Sequence, residues 1–351
     1  MWTMGILFVL LHTGYAMPME QLLPDERNTI EIFQKASPSV VYVHRMSHVH
    51  TYHHLMQVIP AGTGSGLIWD KKGHILTNFH VIHGADALAV TLNGTTVPAK
   101  VVGSDPHWDL AVLQIQSPVA LKTLENYKPL EIGTSHDLLV GQKTVAIGNP
   151  YGFDHSLTVG VISAIGREMP GIGGVTIRDM IQTDAPINPG NSGGPLLDSA
   201  GHLIGLNTAI FSKSGSSAGV GFAIPADQIV RIANQLIQYG RVQMAGIGVL
   251  PVMPNLAQRL GIEKGVMIAE VLPHTPAAKA HLRPTQRDYS GRIHLGDVIV
   301  AINGHPVPTY DALYHILSET KIGEEIAVTI LRGKVEKTYR IKTIDINAIE
   351  G

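Results

Sequence analysis

No cysteine occurs among the 351 residues, so disulfides, Cys-bearing zinc sites, iron–sulfur ligation and a thiol nucleophile are all removed, while either redox compartment remains open. Charge is also scarce: Asp, Glu, Lys and Arg make up 15% of the chain, against about 25% in ordinary globular proteins. The 26 Lys plus Arg and 28 Asp plus Glu leave a formal charge of −2. That gives no electrostatic footprint for a phosphate backbone, and nucleic acid is not expected as a partner. The apolar run from Met1 to Leu11 falls short of the roughly 20 residues that span a bilayer, so no stable membrane anchor is expected. Gly14-Tyr15-Ala16 follows it with small residues where a signal peptidase reads. A signal peptide over 1–16, cleaved after Ala16, is therefore expected, although no Lys or Arg precedes the run.

Hydrophobic residues reach 44%, a globular value that disfavours disorder, and the length suits about two or three domains. The 37 glycines and 21 prolines mark many turns between short elements. After an N-terminal segment (17–36), the region 37–240 is a succession of apolar runs split by glycine-containing turns. The clearest are Val40-Val41-Tyr42-Val43, Gly66-Leu67-Ile68-Trp69, His74-Ile75-Leu76-Thr77, Ala87-Leu88-Ala89-Val90, Leu110-Ala111-Val112-Leu113, Thr144-Val145-Ala146-Ile147 and His202-Leu203-Ile204-Gly205-Leu206. Their number and spacing predict barrels or a sandwich. From Ala226 to Tyr239 the apolar residues Ile229, Ile232, Ala233, Leu236 and Ile237 recur at helical offsets, and Gly240 is a suitable stop. A domain boundary is placed there. The remainder, 244–345, is long enough for its own core and carries three further strand patterns and a helical stretch from Tyr310 to Glu319.

The strongest local signal is Asn188-Pro189-Gly190-Asn191-Ser192-Gly193-Gly194-Pro195, a tight turn around one hydroxyl. Its glycines allow successive N–H groups to converge beside the serine oxygen, as an oxyanion site requires. A serine nucleophile needs a base, and the base needs an orienting acid. His80 follows the strand pattern 74–77, and Asp109 opens the strand pattern 110–113. His74, His83 and His107 compete for the first role and Asp105 for the second, without the same context. The turn also fits the G-x-S-x-G elbow of α/β-hydrolases, where serine precedes acid and histidine. Here the order is His80, Asp109, Ser192, that of chymotrypsin-like proteases.

With these residues in place the chain resembles the HtrA/Deg serine proteases. The motifs that carry the resemblance are Thr77-Asn78-Phe79-His80-Val81-Ile82, Asp109-Leu110-Ala111-Val112-Leu113, the run from Ile181 to Pro195, Gly221-Phe222-Ala223-Ile224-Pro225, and Gly296-Asp297 leading into Val298-Ile299-Val300-Ala301-Ile302-Asn303-Gly304. The resemblance implies a mainly β fold: a chymotrypsin-like double β-barrel over 37–240, then one smaller α+β PDZ domain over 244–345. It implies Ser192 as nucleophile, His80 as general base and acid, and Asp109 as the holder of the imidazole, with no cofactor and no metal. Gly190 and Ser192 would donate backbone N–H groups to the oxyanion. Arg167 matches the sensor-loop arginine, and Ile187 and Val220 match the walls of the primary pocket, whose apolar lining favours small aliphatic residues before the cut. Asn191 replaces the aspartate that pairs with a new N-terminus in digestive enzymes, so that activation switch is absent. Ala245, Gly246 and Ile247 match the loop that holds a peptide carboxylate, Ala245 being smaller than usual there.

The function so implied is ATP-independent endoproteolysis of misfolded or unfolded proteins in the periplasm by a homotrimer or trimer-based oligomer, with the PDZ domain binding apolar C-termini. Two rivals are a chaperone-like peptide holder and a regulatory protease with one signalling substrate. Outside this frame His44, His48, His50, His53 and His54 form a cluster that lacks a completing carboxylate for a metal and suits a pH-responsive loop.

Overall fold

The computed structural model describes residues 18–50, 56–150, 152, 154–171, 174–188, 190–210 and 219–349, with backbone alone at 48–50, 56–61, 209 and 210. The expected signal segment 1–16, Pro189 of the serine turn, and His53 and His54 lie outside the described residues. Helix α1 (Pro24–Ala36) opens the chain, with Pro24 at its first position and Leu23 N–H donating to Glu26 Oε2 at 2.8 Å. No element was expected in this segment. The helix exists because Ile32 and Ala36, one turn apart, bury against the main core, and because Lys143 donates to Asp25 Oδ1 at 2.6 Å and Thr29 Oγ1 at 2.8 Å.

The first barrel contains β1 (Val40–His50), β2 (Met56–Ile68), β3 (His74–Thr77), the one-turn helix α2 (Phe79–Ile82), β4 (Ala87–Leu92), β5 (Thr95–Asp105) and β6 (Leu110–Ile115), closed in the order β1-β2-β3-β6-β5-β4. Short helix α3 (Pro118–Thr123) follows. The second barrel contains β7 (Lys143–Gly148), β8 (Ser156–Pro170), β9 (Thr176–Thr183), β10 (Pro195–Leu197), β11 (Leu203–Ile210) and β12 (Gly221–Pro225), closed as β10-β11-β12-β9-β8-β7. Counted from its own first strand, each ring has the same order. Closure leaves no free strand edge in either barrel. One turn recurs. Asp70 Oδ1 accepts from Lys72 and His74 N–H while Oδ2 lies 2.7 Å from His74 Nδ1, and Asp198 makes the corresponding contacts with Ala200 and His202. Gly73 and Gly201 take φ of +84° and +83° there.

Helix α4 (Ala226–Tyr239) has the bounds its spacing predicts, and Gly240 caps it at φ +72°. It buries Ile229, Ile232, Ala233 and Leu236 against β6, β5, β11 and β12, and so locks the barrels into one core. At its end, a Cβ on Gly103 of β5 would lie 2.5 Å from the Gly240 carbonyl oxygen.

The C-terminal unit contains β13 (Ala245–Gly246), β14 (Val249–Pro251), α5 (Pro254–Arg259), β15 (Val266–Val271), α6 (Pro276–Lys279), β16 (Gln286–Arg287), β17 (Ile293–His294), β18 (Val298–Ile302), β19 (His305–Pro306), α7 (Tyr310–Glu319), β20 (Glu325–Arg332), β21 (Val335–Lys342) and β22 (Ile344–Asp345). Strands β14, β15, β18, β19, β20 and β21 form one sheet, and α7 lays Leu313 and Leu317 onto its core. The fully buried Asp297 takes two 2.8 Å hydrogen bonds from Arg332 and one from Arg283 N–H. A buried carboxylate needs such partners. The mainly β fold with a chymotrypsin-like pair of barrels is as the resemblance implies.

Candidate active site

The two barrels meet where β3 ends, β6 begins and the turn before β10 lies. His80 lies on α2 directly after β3, its side chain about one-third exposed. Asp109, 4% exposed, precedes β6 with φ +51°, a left-handed conformation that a non-glycine residue adopts only when its surroundings hold it. They do. Its carbonyl accepts from Phe79 N–H and Asn78 Nδ2, both at 3.0 Å. Its carboxylate accepts the His80 N–H at 2.9 Å, lies 2.7 Å from His80 Nδ1, and accepts from Thr208 Oγ1. A carboxylate with three donors is satisfied while buried, and it orients the imidazole.

Ser192 follows a turn in which Asn191 N–H donates to Asn188 O at 3.0 Å, and it is half-buried. Its Oγ donates to the Thr208 carbonyl at 2.9 Å, and the side chain of that threonine reaches Asp109. The hydroxyl therefore stands within the His80–Asp109 network through Thr208. No hydrogen bond joins it directly to His80 among the described residues. Gly190 (φ +104°) and Gly193 (φ +84°) supply the left-handed turns that a side chain would strain. No hydrogen bond from the N–H groups of Gly190 and Ser192 occurs among the described residues.

Asn191 is buried, accepting from Ser156 Oγ at 3.0 Å. Its Nδ2 lies 3.4 Å from the Pro186 carbonyl oxygen, to which it donates. Ile187 is buried inside the second barrel against Gly221, and Val220 packs partly buried against the cluster beneath α4. Arg167 is exposed and donates to Gln182 Oε1 at 2.9 Å. His44 Nε2 lies 2.6 Å from Thr91 Oγ1, and burial lowers its pKa from 6.5. No group of three His, Cys, Asp or Glu side chains suited to a metal ion occurs among the described residues.

Ala245 and Ile247 are buried, and β13 pairs with β22. Beside them Gly246, Ile247, Val249, Leu313, Tyr314 and Leu317 line an apolar cavity of about 150 Å³, to which His107 of the first barrel adds a wall. Asp311 on α7 accepts from Thr176 N–H at 2.6 Å and lies 3.4 Å from Arg178 Nη2. The contacts of Thr208, Arg178, Asp311 and Tyr314 have no counterpart in the sequence patterns. Each joins segments remote in sequence, and no local pattern marks it.

The chain matches the trypsin-like peptidase domain family over residues 64–206 and the PDZ domain family over 245–343. It is 48% identical over 318 residues to Protease Do-like 1, chloroplastic, of Arabidopsis thaliana, covering 90% of this chain and 71% of that protein. It is 40% identical over 283 residues to a probable periplasmic serine endoprotease DegP-like of Pseudomonas fluorescens, covering 79% of this chain and 55% of that one. Among solved structures, an HtrA-type protease AlgW with decapeptide superposes with TM-score 0.66 at 34% identity, covering 90% of this chain and 98% of that one. The serine endoprotease from Yersinia pestis does so with TM-score 0.63 at 33% identity, covering 91% and 98%.

Proposed function

The chain belongs to the HtrA/Deg family of serine proteases, a trypsin-like peptidase domain followed by a PDZ domain, and on that premise we propose that it cleaves unfolded polypeptides with Ser192, His80 and Asp109. The observation that carries the reading is the 2.7 Å contact between His80 Nδ1 and the buried Asp109 carboxylate, which leaves Nε2 of a partly exposed imidazole turned to other work. With Nδ1 donating to Asp109, Nε2 is the basic nitrogen. Ser192 Oγ exchanges its hydrogen bond with the Thr208 carbonyl for one with Nε2, gives its proton to that nitrogen and bonds to the peptide carbonyl carbon. The carbonyl oxygen takes the negative charge and receives the N–H groups of Gly190 and Ser192. Nε2 then returns the proton to the leaving amine, and water repeats the sequence on the acyl-enzyme.

Ile187 and Val220 are proposed as walls of an apolar primary pocket, which favours small aliphatic residues before the cut. Such residues are accessible mainly in unfolded chains, so the substrate class is misfolded protein in quality control. The cavity beside Gly246 and Ile247 suits an apolar C-terminal side chain, with the loop Ala245, Gly246 and Ile247 supplying N–H groups to its carboxylate and the peptide lying along α7. Arg167 is proposed as a sensor-loop residue. A homotrimer or trimer-based oligomer completes the reading; the periplasmic relative supports an exported compartment, while the chloroplastic one widens the choice.

The test is casein digestion by wild type and by Ser192→Ala, each with and without a serine-directed peptidyl phosphonate. Wild type loses cleavage on labelling at Ser192, and the variant retains less than about one-thousandth of it. Phosphonate-resistant cleavage by the variant places the chemistry elsewhere.

A further inference from the structure

Ser65 lies near the end of β2, fully buried and 127 residues from the serine it touches. Its hydroxyl donates to the Gly190 carbonyl at 2.5 Å and accepts the Asn149 N–H at 2.7 Å. Its own N–H donates to the Ser192 carbonyl at 2.8 Å, and its carbonyl accepts from Thr77 Oγ1 at 2.7 Å. Residue 65 thus grips both residues proposed above as donors to the reacting oxygen, each by its carbonyl: Gly190 through the side chain and Ser192 through the backbone.

The two grips are not equivalent. The Ser192 carbonyl is held by backbone that any residue supplies. Gly190 sits at φ +104°, where glycine has the widest rotational freedom, and the only hydrogen bond to its carbonyl among the described residues comes from a side chain. Remove that hydroxyl and the peptide after Gly190 keeps only one anchor, the Asn191 N–H on the Asn188 carbonyl, so the turn that sets the line of the preceding Gly190 N–H loosens. The same oxygen accepts the Asn149 N–H, just after β7, so its direction is set from the second barrel while its chain belongs to the first. Hydroxyl geometry here couples the relative placement of the two barrels to the line of one donor.

We propose that Ser65 is a positioning residue for the oxyanion site, relaying the Asn149 amide to the Gly190 carbonyl and so holding the Gly190 N–H on the reacting carbonyl oxygen. This rests on the proteolytic reading above. Because the interaction strengthens only as charge develops on that oxygen, its loss falls on kcat rather than KM.

The experiment compares wild type, Ser65→Ala and Ser65→Cys on an apolar peptide p-nitroanilide. It also measures inhibition by a peptide trifluoromethyl ketone, which forms an anionic tetrahedral adduct, and by the matching secondary alcohol, which does not. In Ser65→Ala kcat falls by about 10- to 100-fold with KM within about threefold. Ketone affinity falls in parallel with kcat while alcohol affinity holds. Ser65→Cys, with a weaker donor of similar shape, lies between, and it carries the test should the alanine variant not fold. Wild-type kcat in the alanine variant overturns the proposal, as does equal loss of ketone and alcohol affinity, which marks general damage to the cleft. Failure of the proteolytic reading is distinguishable, since wild type itself then takes no phosphonate on Ser192.

Discussion

Tyr314 of the C-terminal unit stacks on His107 of the first barrel, with ring centroids 4.7 Å apart and planes inclined by 25°. His107 stands two residues before Asp109, and Tyr314 belongs to the helix that lines the apolar cavity. The cavity wall and the acid's loop are therefore in direct contact. Nearby, Arg231 lies over the Trp108 ring at 5.3 Å, and burial pushes the Tyr314 hydroxyl far above its usual range, so the ring meets His107 uncharged.

An aromatic pair of this kind contributes about 1 kcal/mol beyond the area it buries. Replacing Tyr314 by Leu keeps the apolar bulk and removes the stack. Amide exchange over 105–108 then speeds up roughly fivefold by hydrogen-exchange mass spectrometry, while exchange in β7 is unaffected. Equal protection in both proteins would mean that the stack does not restrain the loop.

Thr208 donates to the Asp109 carboxylate at a point shielded from solvent. A hydrogen bond to a charged group is worth about 1.5–3 kcal/mol. Thr208→Val keeps the shape and loses the donor, so kcat on a peptide substrate drops by about tenfold or more. A variant as fast as wild type would remove Thr208 from the site.

Burial lowers the pKa of His44 below 6.5, so the unfolded chain takes up its proton first as pH falls. The neutral imidazole's contribution is complete above about pH 6.5 and is lost as pH drops through the folded-state value. NMR titration of the His44 ring is expected to give a midpoint below that of a free histidine. His44→Gln flattens the decline of melting temperature between neutral and acidic pH, and an unchanged slope would contradict the assignment.

Gly103 tolerates no side chain because the Gly240 carbonyl occupies the space. Its φ is unexceptional, so the constraint is contact rather than conformation. Gly103→Ala forces β5 and the end of α4 apart and costs about 1–3 kcal/mol, read as a lower melting temperature in calorimetry. A melt matching wild type would show that this junction yields without cost.

The bounds of α4 and α7 could be read from the sequence because one apolar stripe facing one core repeats at helical spacing. His80 and Asp109 could be paired because chain order and chemistry limit the choice. The longer strands were harder. Thr95–Asp105 includes Pro98 and Gly103, and Ser156–Pro170 pairs with Thr176–Thr183 through repeated register shifts, so neither alternates cleanly. Ser65, Asn149 and Thr208 left no sign at all. Ser65 and Thr208 are small polar residues whose value lies in hydrogen bonds to distant segments, 125 residues away for Ser65 and Gly190 and 99 for Thr208 and Asp109, and Asn149 enters through a backbone N–H that no side-chain pattern marks.

The Asp-x-x-Gly-His turns at Asp70 and Asp198 join the second and third strands of the first barrel, but the fourth and fifth of the second. Were they relics of a duplicated ancestral half, they would occupy matching corners of rings whose order is the same. They do not, so the pentapeptide is a self-contained cassette, written by local hydrogen bonding and indifferent to the hairpin it closes. Swapping the two cassettes should leave both hairpins intact, which makes this corner a natural place to splice new sequence without disturbing the cleft.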